Sequence, residues 1–188
     1  MDYSVYLAAR VARLEALEAI RSLKARYAAL ADQKYMSTYQ RQPDEVMIRI
    51  ARQQAECFTV DAVWAGGAGF GDDLVGRDAL ENWFRKSPWR YAEHFYTGEH
   101  ITMVDERKAG ATWRLWQLAL RDDDAHAVLL AATTTETYER DYDGVWRIST
   151  MRFDQLDMLE CGSGPLPLAA TLVGLDAIRA ANLNRECR

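Results

Sequence analysis

A surplus of positive charge is missing from this 188-residue chain: 23 Lys and Arg stand against 28 Asp and Glu, giving a net charge of -5 and a pI near 5.3. Nucleic-acid binding normally shows as clustered Lys and Arg, and no such cluster is present. Long apolar runs are missing too. The longest stretches, such as residues 127–132, fall well short of the roughly 20 residues that cross a bilayer as a helix. The N-terminus is charged from Asp2 onward and has no apolar run ending in a small-residue cleavage site, so no secretory signal is expected. Cysteine is scarce and odd in number. Cys57, Cys161 and Cys187 lie far apart, which suits free thiols in a reducing compartment better than a disulfide framework; a cytoplasmic location is expected.

Several motifs are absent as well. The run Gly66-Gly67-Ala68-Gly69-Phe70-Gly71 fails the G-x-G-x-x-G pattern and no apolar helix follows at once, so it reads as a turn. No G-x-S-x-G elbow occurs. No His-x-x-x-His or Cys-x-x-Cys spacing occurs either, which argues against a metal site. There is no internal repeat and no low-complexity tract.

What is present is an ordinary globular composition, with 49% hydrophobic and 27% charged residues, in a length that fits one domain. Leu7, Val11, Leu14, Leu17, Ile20, Leu23, Tyr27 and Leu30 recur at spacings of three and four, which predicts a long amphipathic first helix. After a polar linker from Lys34 to Pro43, Asp44 is placed to start a second helix toward Phe58. A short strand is expected from Phe58 to Trp64, and a third helix from Arg77 to Lys86, stopped near Pro88. From Tyr91 the chain turns strand-like. Phe95 to Val104, Ala111 to Leu120, Ala127 to Arg140 and Val145 to Phe153 are rich in Thr, Val, Trp and Tyr, and Asp143-Gly144 signals a hairpin. Helices first and a meander second predict an α+β fold. A terminal helix through Leu168, Leu172, Leu175 and Ile178 is expected after the break at Pro165, to cap a pocket or serve an oligomer contact.

The chain holds three histidines, so candidates for proton transfer near neutral pH are few. His126 follows three aspartates and reads as an exposed loop residue. His94 and His100 flank the start of a strand with Tyr91, Phe95 and Tyr96, and either can face an apolar cavity; the alternative for each is a hydrogen-bonded structural histidine. Asp32 sits at the end of the first helix, where a carboxylate opposes the helix dipole. On a straight helix Asp32 points well away from Tyr27, so placing both in one cavity is expected to need a bent helix end.

Five segments taken together carry a resemblance: Ala19-Ile20-Arg21-Ser22-Leu23 leading to Tyr27 and Asp32; Cys57 to Trp64; Gly76-Arg77-Asp78-Ala79-Leu80; Glu93-His94-Phe95-Tyr96-Thr97; and Tyr138-Glu139-Arg140 with Asp143 to Ile148. In order and spacing they resemble the SnoaL-like branch of the nuclear-transport-factor-2-like superfamily. Among its members the nearest likeness is to the dehydratase type: scytalone dehydratase, hexachlorocyclohexane dehydrochlorinase and bile-acid 7α-dehydratase. The resemblance spans residues 10 to 158 and implies a cone of curved antiparallel sheet closed by N-terminal helices. Residues 1–160 would form that cone, and 161–188 a helical extension packed on it.

The resemblance further implies a cofactor-free lyase with no metal. Asp32 and His94 fall where these enzymes place an Asp and His pair, and Tyr27 falls where they carry a polar pocket residue. His94 would take a proton from a substrate carbon while Asp32 orients the imidazole. An Arg is expected in the last strand. Arg152 is nearest, and Met151 is the neighbour that a one-residue shift would turn inward instead. Tyr96 and Gln117 are further candidate donors, with Trp64 and Trp116 as pocket walls. The expected substrate is a hydrophobic, ring-bearing small molecule such as a steroid, terpenoid or polyketide, and a homo-oligomer, trimer or dimer, is expected. Two alternatives stay open: an isomerase or cyclase of the ketosteroid-isomerase or polyketide-cyclase type, and a non-catalytic ligand-binding module like an oxygenase small subunit.

Overall fold

A computed structural model describes residues 3–66 and 71–161. The terminal helix expected beyond Pro165 and the middle of the glycine run lie outside the described residues. Three helices precede most of the sheet: α1 (Tyr3–Asp32), α2 (Asp44–Ala55) and α3 (Arg77–Phe84). The strands are β1 (Phe58–Ala65), β2 (Leu74–Val75), β3 (Trp89–Met103), β4 (Lys108–Arg121), β5 (Ala127–Arg140) and β6 (Trp146–Glu160). They form one curved, unclosed sheet in the order β2-β1-β6-β5-β4-β3. The α+β cone is as expected, except that β1 pairs with β6 in parallel and the two-residue β2 was not foreseen.

The first helix is buried along one stripe, Ala16, Ile20, Lys24, Tyr27, Leu30 and Ala31, which lies against the concave face of the sheet. Its first four turns do not join that core. Every residue from Tyr3 to Glu15 is exposed, including Leu7, Val11 and Leu14, whose spacing predicted a buried stripe. Helical periodicity marks a face that can be covered, and no described part of this chain reaches that far along the helix.

Between helices and sheet lies a core in which Ile20, Phe58, Leu80, Ile148 and Met151 have no measurable exposure. Each such side chain contributes about 1.5–3 kcal/mol by leaving water. Two irregularities in β6 set which of its residues join this core. Tyr138 pairs with Ile148 but Thr137 pairs with Thr150, so Ser149 is an extra residue; Asp154 is a second, between Phe153 and Gln155. An extra residue reverses the two-residue alternation. The inward set therefore changes from Trp146 and Ile148 to Met151 and Phe153. In β3 a similar shift falls between Thr97 and His100, where Gly98 has a φ of 59° that a side chain would strain.

One polar cluster lies in the floor of the cone. Lys24 and Glu136 form a fully buried ion pair. Glu136 also accepts hydrogen bonds from Thr134 Oγ1 (2.7 Å) and the Tyr138 hydroxyl, and Tyr138 in turn accepts one from Trp113 Nε1 at 2.9 Å. The Lys24 ammonium stands 3.6 Å from the centre of the Tyr96 ring. Burial lowers the Lys24 pKa, and Glu136 opposes that shift.

Candidate active site

His94 is positioned by β3, the last strand on one side of the sheet. It pairs with Gln117 of β4, and Tyr96 pairs with Leu115, so His94, Tyr96, Leu115 and Gln117 share the concave face while Phe95 and Trp116 alternate to the outside. A strand at the sheet margin leaves N–H groups without a ladder partner. For His94 that partner is Asp32, whose Oδ1 accepts the backbone N–H at 3.0 Å. The same Oδ1 lies 2.8 Å from His94 Nδ1. An ionised carboxylate only accepts, so Nδ1 carries the proton and the Nε2 lone pair is free. Among the described residues Nε2 has no hydrogen-bond partner.

The His94 ring lines a narrow cleft with an enclosed volume of about 70 Å³. Trp64, Phe84 and Phe153 form one apolar wall, with Trp64 to Phe84 ring centres 5.4 Å apart and Trp64 to Phe153 5.7 Å. Trp83 and Trp89 also line the cleft, as do Tyr35 and Ser87, whose hydroxyls are hydrogen-bonded to each other. Burial lowers the His94 pKa below the ordinary 6.5, partly countered by the hydrogen bond and charge of Asp32. His94 is therefore neutral at neutral pH. A neutral imidazole with an oriented Nδ1–H and an open Nε2 is built to accept a proton.

Tyr27 lines the same cleft, packed edge-on to Phe58 (5.7 Å) and Tyr96 (6.1 Å). Burial pushes its pKa well above 10, as it does for Tyr96, so both hydroxyls remain donors. The expected bend in α1 is not needed. Helical hydrogen bonding continues through Gln33 N to Ala29 O at 2.9 Å, and Asp32 itself does not line the cleft. His94 bridges the two directions, with one nitrogen on Asp32 and its ring in the cavity that Tyr27 faces.

Of the other expected residues, Trp64, Tyr96 and Gln117 line the cleft, and two do not. Trp116 is 48% exposed on the outer face, because neighbours on a regular strand cannot share a face and Gln117 points inward. Arg152 also points outward, where its Nε donates to Asp154 Oδ1 at 2.6 Å. The extra residue at Ser149 puts Met151 inside in its place. His100 lies on the exposed part of β3 beside Thr102, and His126 pairs with Asp124 at 2.9 Å in a loop. Among the described residues no group of three or more His, Cys, Asp or Glu side chains is arranged to hold a metal.

Lys34 was not singled out from sequence. It lines the cleft and is 7% exposed; its backbone carbonyl accepts from Gln42 N at 2.8 Å, but its ammonium has no hydrogen bond or ion pair among the described residues. Burial lowers its pKa to about 8, with Asp32 opposing the shift. The signal was in the helix stripe: Tyr27, Ala31 and Lys34 follow one another at spacings of four and three, so the inward face continues into what reads as a polar linker. Gln54 was also missed. Its Oε1 and the Nε2 of Gln117 are buried without hydrogen-bond partners, and both residues line the cleft.

Residues 49–152 match the family model described as a SnoaL-like domain. That stretch includes His94 and leaves out Asp32 and Lys34. No curated protein matches the chain. Among solved structures, a type 2 hexachlorocyclohexane dehydrochlorinase is similar with a TM-score of 0.67 and 19% identity, covering 85% of this chain and 99% of its own. A type 3 enzyme of that name from Novosphingobium barchaimii has a TM-score of 0.65 and 21% identity, covering 84% and 99%. A protein provisionally named a scytalone dehydratase from Novosphingobium aromaticivorans has a TM-score of 0.65 and 16% identity, covering 85% and 99%. At these identities the likeness is one of fold.

Proposed function

The chain belongs to the SnoaL-like family of the nuclear-transport-factor-2-like superfamily, and from that premise we propose that it is a cofactor-free lyase acting on a hydrophobic, ring-bearing small molecule. The observation that carries the proposal is the contact of His94 Nδ1 with Asp32 Oδ1 at 2.8 Å, with the ring facing an aromatic-walled cleft. His94 Nε2 removes a proton from a substrate carbon. The released electron pair forms a double bond and expels a leaving group from the neighbouring carbon, as halide or, when the hydroxyl takes up a proton from a donor in the cleft, as water. Asp32 holds the imidazole in the required tautomer and stabilises the imidazolium once formed. Tyr27 donates a hydrogen bond to the leaving group or to an enolate oxygen. The dehydrochlorinase and dehydratase names of the similar structures support elimination as the reaction class.

The test is a product mass scan of wild type, His94→Ala and Asp32→Asn against hydroxylated and halogenated steroids, terpenoids and aromatic polyketides. Elimination is supported by a product lighter by water or hydrogen halide that both variants lose. A product of unchanged mass would mean isomerisation instead, and binding without turnover a carrier.

A further inference from the structure

A buried cation with no counter-ion in contact is unusual, because burial disfavours the charged form unless something compensates. Lys34 is such a group. Its ammonium is 5.5 Å from the centre of the Phe84 ring and within the field of Asp32, but no carboxylate lies within ion-pair distance among the described residues. Lys24 shows the contrast: buried still more deeply, it is held by Glu136. Lys34 opens instead on the cleft, where the Gln117 amide nitrogen is buried without a hydrogen-bond partner. An ammonium without an ion pair and an amide nitrogen without an acceptor therefore line one cavity, and Gln117 pairs directly with His94 across β3 and β4.

We propose that Lys34 forms an anion subsite in the cleft, which holds the leaving group of the substrate as it departs with the bonding electron pair. This rests on the lyase assignment and adds to it the second half of the reaction. When the leaving group is a halide, the ammonium binds it as the carbon–halogen bond breaks. When it is a hydroxyl, Lys34 Nζ donates a proton as the carbon–oxygen bond breaks, so that water leaves and the amine is neutral. His94 meanwhile holds the proton taken from carbon, and exchange with solvent returns both groups to their starting states. No oxidant or further reactant is needed. A proton donor that ionises close to neutrality suits that exchange. The substrate class narrows accordingly to molecules whose leaving group, or an acceptor oxygen beside it, is anionic or becomes so.

The subsite is tested by binding, independently of turnover. 4-Nitrophenol is a ring-bearing probe whose phenolate absorbs where the neutral phenol does not. It is titrated at constant pH into wild type, Lys34→Met, Lys34→Arg and, as a control on the outer face, Arg152→Ala. The expected result is phenolate binding by wild type, on the order of tenfold weaker in Lys34→Met, largely kept in Lys34→Arg and unchanged in Arg152→Ala. Circular dichroism and thermal melting show that the variants are folded; the Met variant is expected to melt no lower than wild type. Equal phenolate binding by wild type and Lys34→Met, or no binding by any of the four, overturns the subsite. Failure of elimination shows separately, as phenolate binding that depends on Lys34 in a protein that turns over nothing in the mass scan.

Discussion

One carboxylate oxygen, Oδ1 of Asp32, accepts both the backbone N–H of His94 at 3.0 Å and the Nδ1–H of the same residue at 2.8 Å. The two bonds hold the strand end and the ring to the same oxygen, so turning the imidazole breaks its bond to Asp32. Asp32→Asn keeps the shape but can present an amide donor to Nδ1, which moves the imidazole proton to Nε2 and removes the base. Turnover should fall on the order of 10⁴-fold, with the melting temperature little changed. Steady-state kinetics with the substrate found in the mass scan measures this. A variant within a few-fold of wild type would mean that Asp32 does not set the tautomer.

The pH dependence follows from the burial of His94. Its folded pKa lies below the ordinary 6.5, so near and below 6.5 the unfolded chain binds a proton that the folded chain does not. Stability from this group is present above 6.5 and is lost as pH falls toward the folded value. The acid limb of kcat/KM, which reports the free enzyme, should likewise lie below 6.5 and vanish in His94→Ala. A limb above 6.5 would place the base elsewhere or show that the ring is less desolvated.

Lys34 makes the opposite contribution. Below about 8 it is protonated in both states and carries its full burial penalty; between about 8 and the ordinary 10.5 only the unfolded chain keeps the proton, so stability rises with pH through that window. Taken as order of magnitude, the penalty is about 3 kcal/mol at neutral pH. Lys34→Met should therefore be more stable than wild type at pH 7, with a gap that narrows toward pH 10. Chemical denaturation at the two pH values decides it, and a destabilised Met variant at pH 7 would show that the ammonium is satisfied in solution.

Lys24 and Glu136 should behave as a unit. Removing one partner leaves an uncompensated buried charge, so Lys24→Met or Glu136→Leu alone should cost about 3–5 kcal/mol. The double variant should recover most of that loss, since two apolar side chains leave no buried charge. A double-mutant cycle in urea measures the coupling, and additive losses would mean that the pair does not interact as the structure shows.

Arg152 and Met151 give a test of register. Arg152→Ala removes an exposed side chain and its outer-face bond to Asp154, and should change stability by less than about 0.5 kcal/mol and leave turnover unaltered. Met151→Ala opens a void in the core and should cost about 2–5 kcal/mol. The reverse order in melting experiments would place Arg152 in the cone and Ser149 in a regular ladder.

The chain itself determined the order of elements, because each carries its own period. Ile20, Tyr27 and Leu30 repeat as a helix, the Thr-rich and Trp-rich segments after Tyr91 read as strands, and Asp143-Gly144 supplies the turn between Asp141 and Val145. Asp32, His94 and Tyr27 were legible as candidates because they stand at the ends and faces of those elements. Tertiary structure alone decided which side chains meet. An extra residue at Ser149 turns Met151 inward and Arg152 outward, and strand pairing excludes Trp116 once Gln117 is inside. It also decided that Lys34 belongs to the cavity and that Asp32 reaches His94 across a sequence separation of 62 residues without a bend in α1. The reason is physical: periodicity is set by bonds between near neighbours, whereas facing and burial depend on register and packing between segments far apart in the chain, where one inserted residue reverses the outcome.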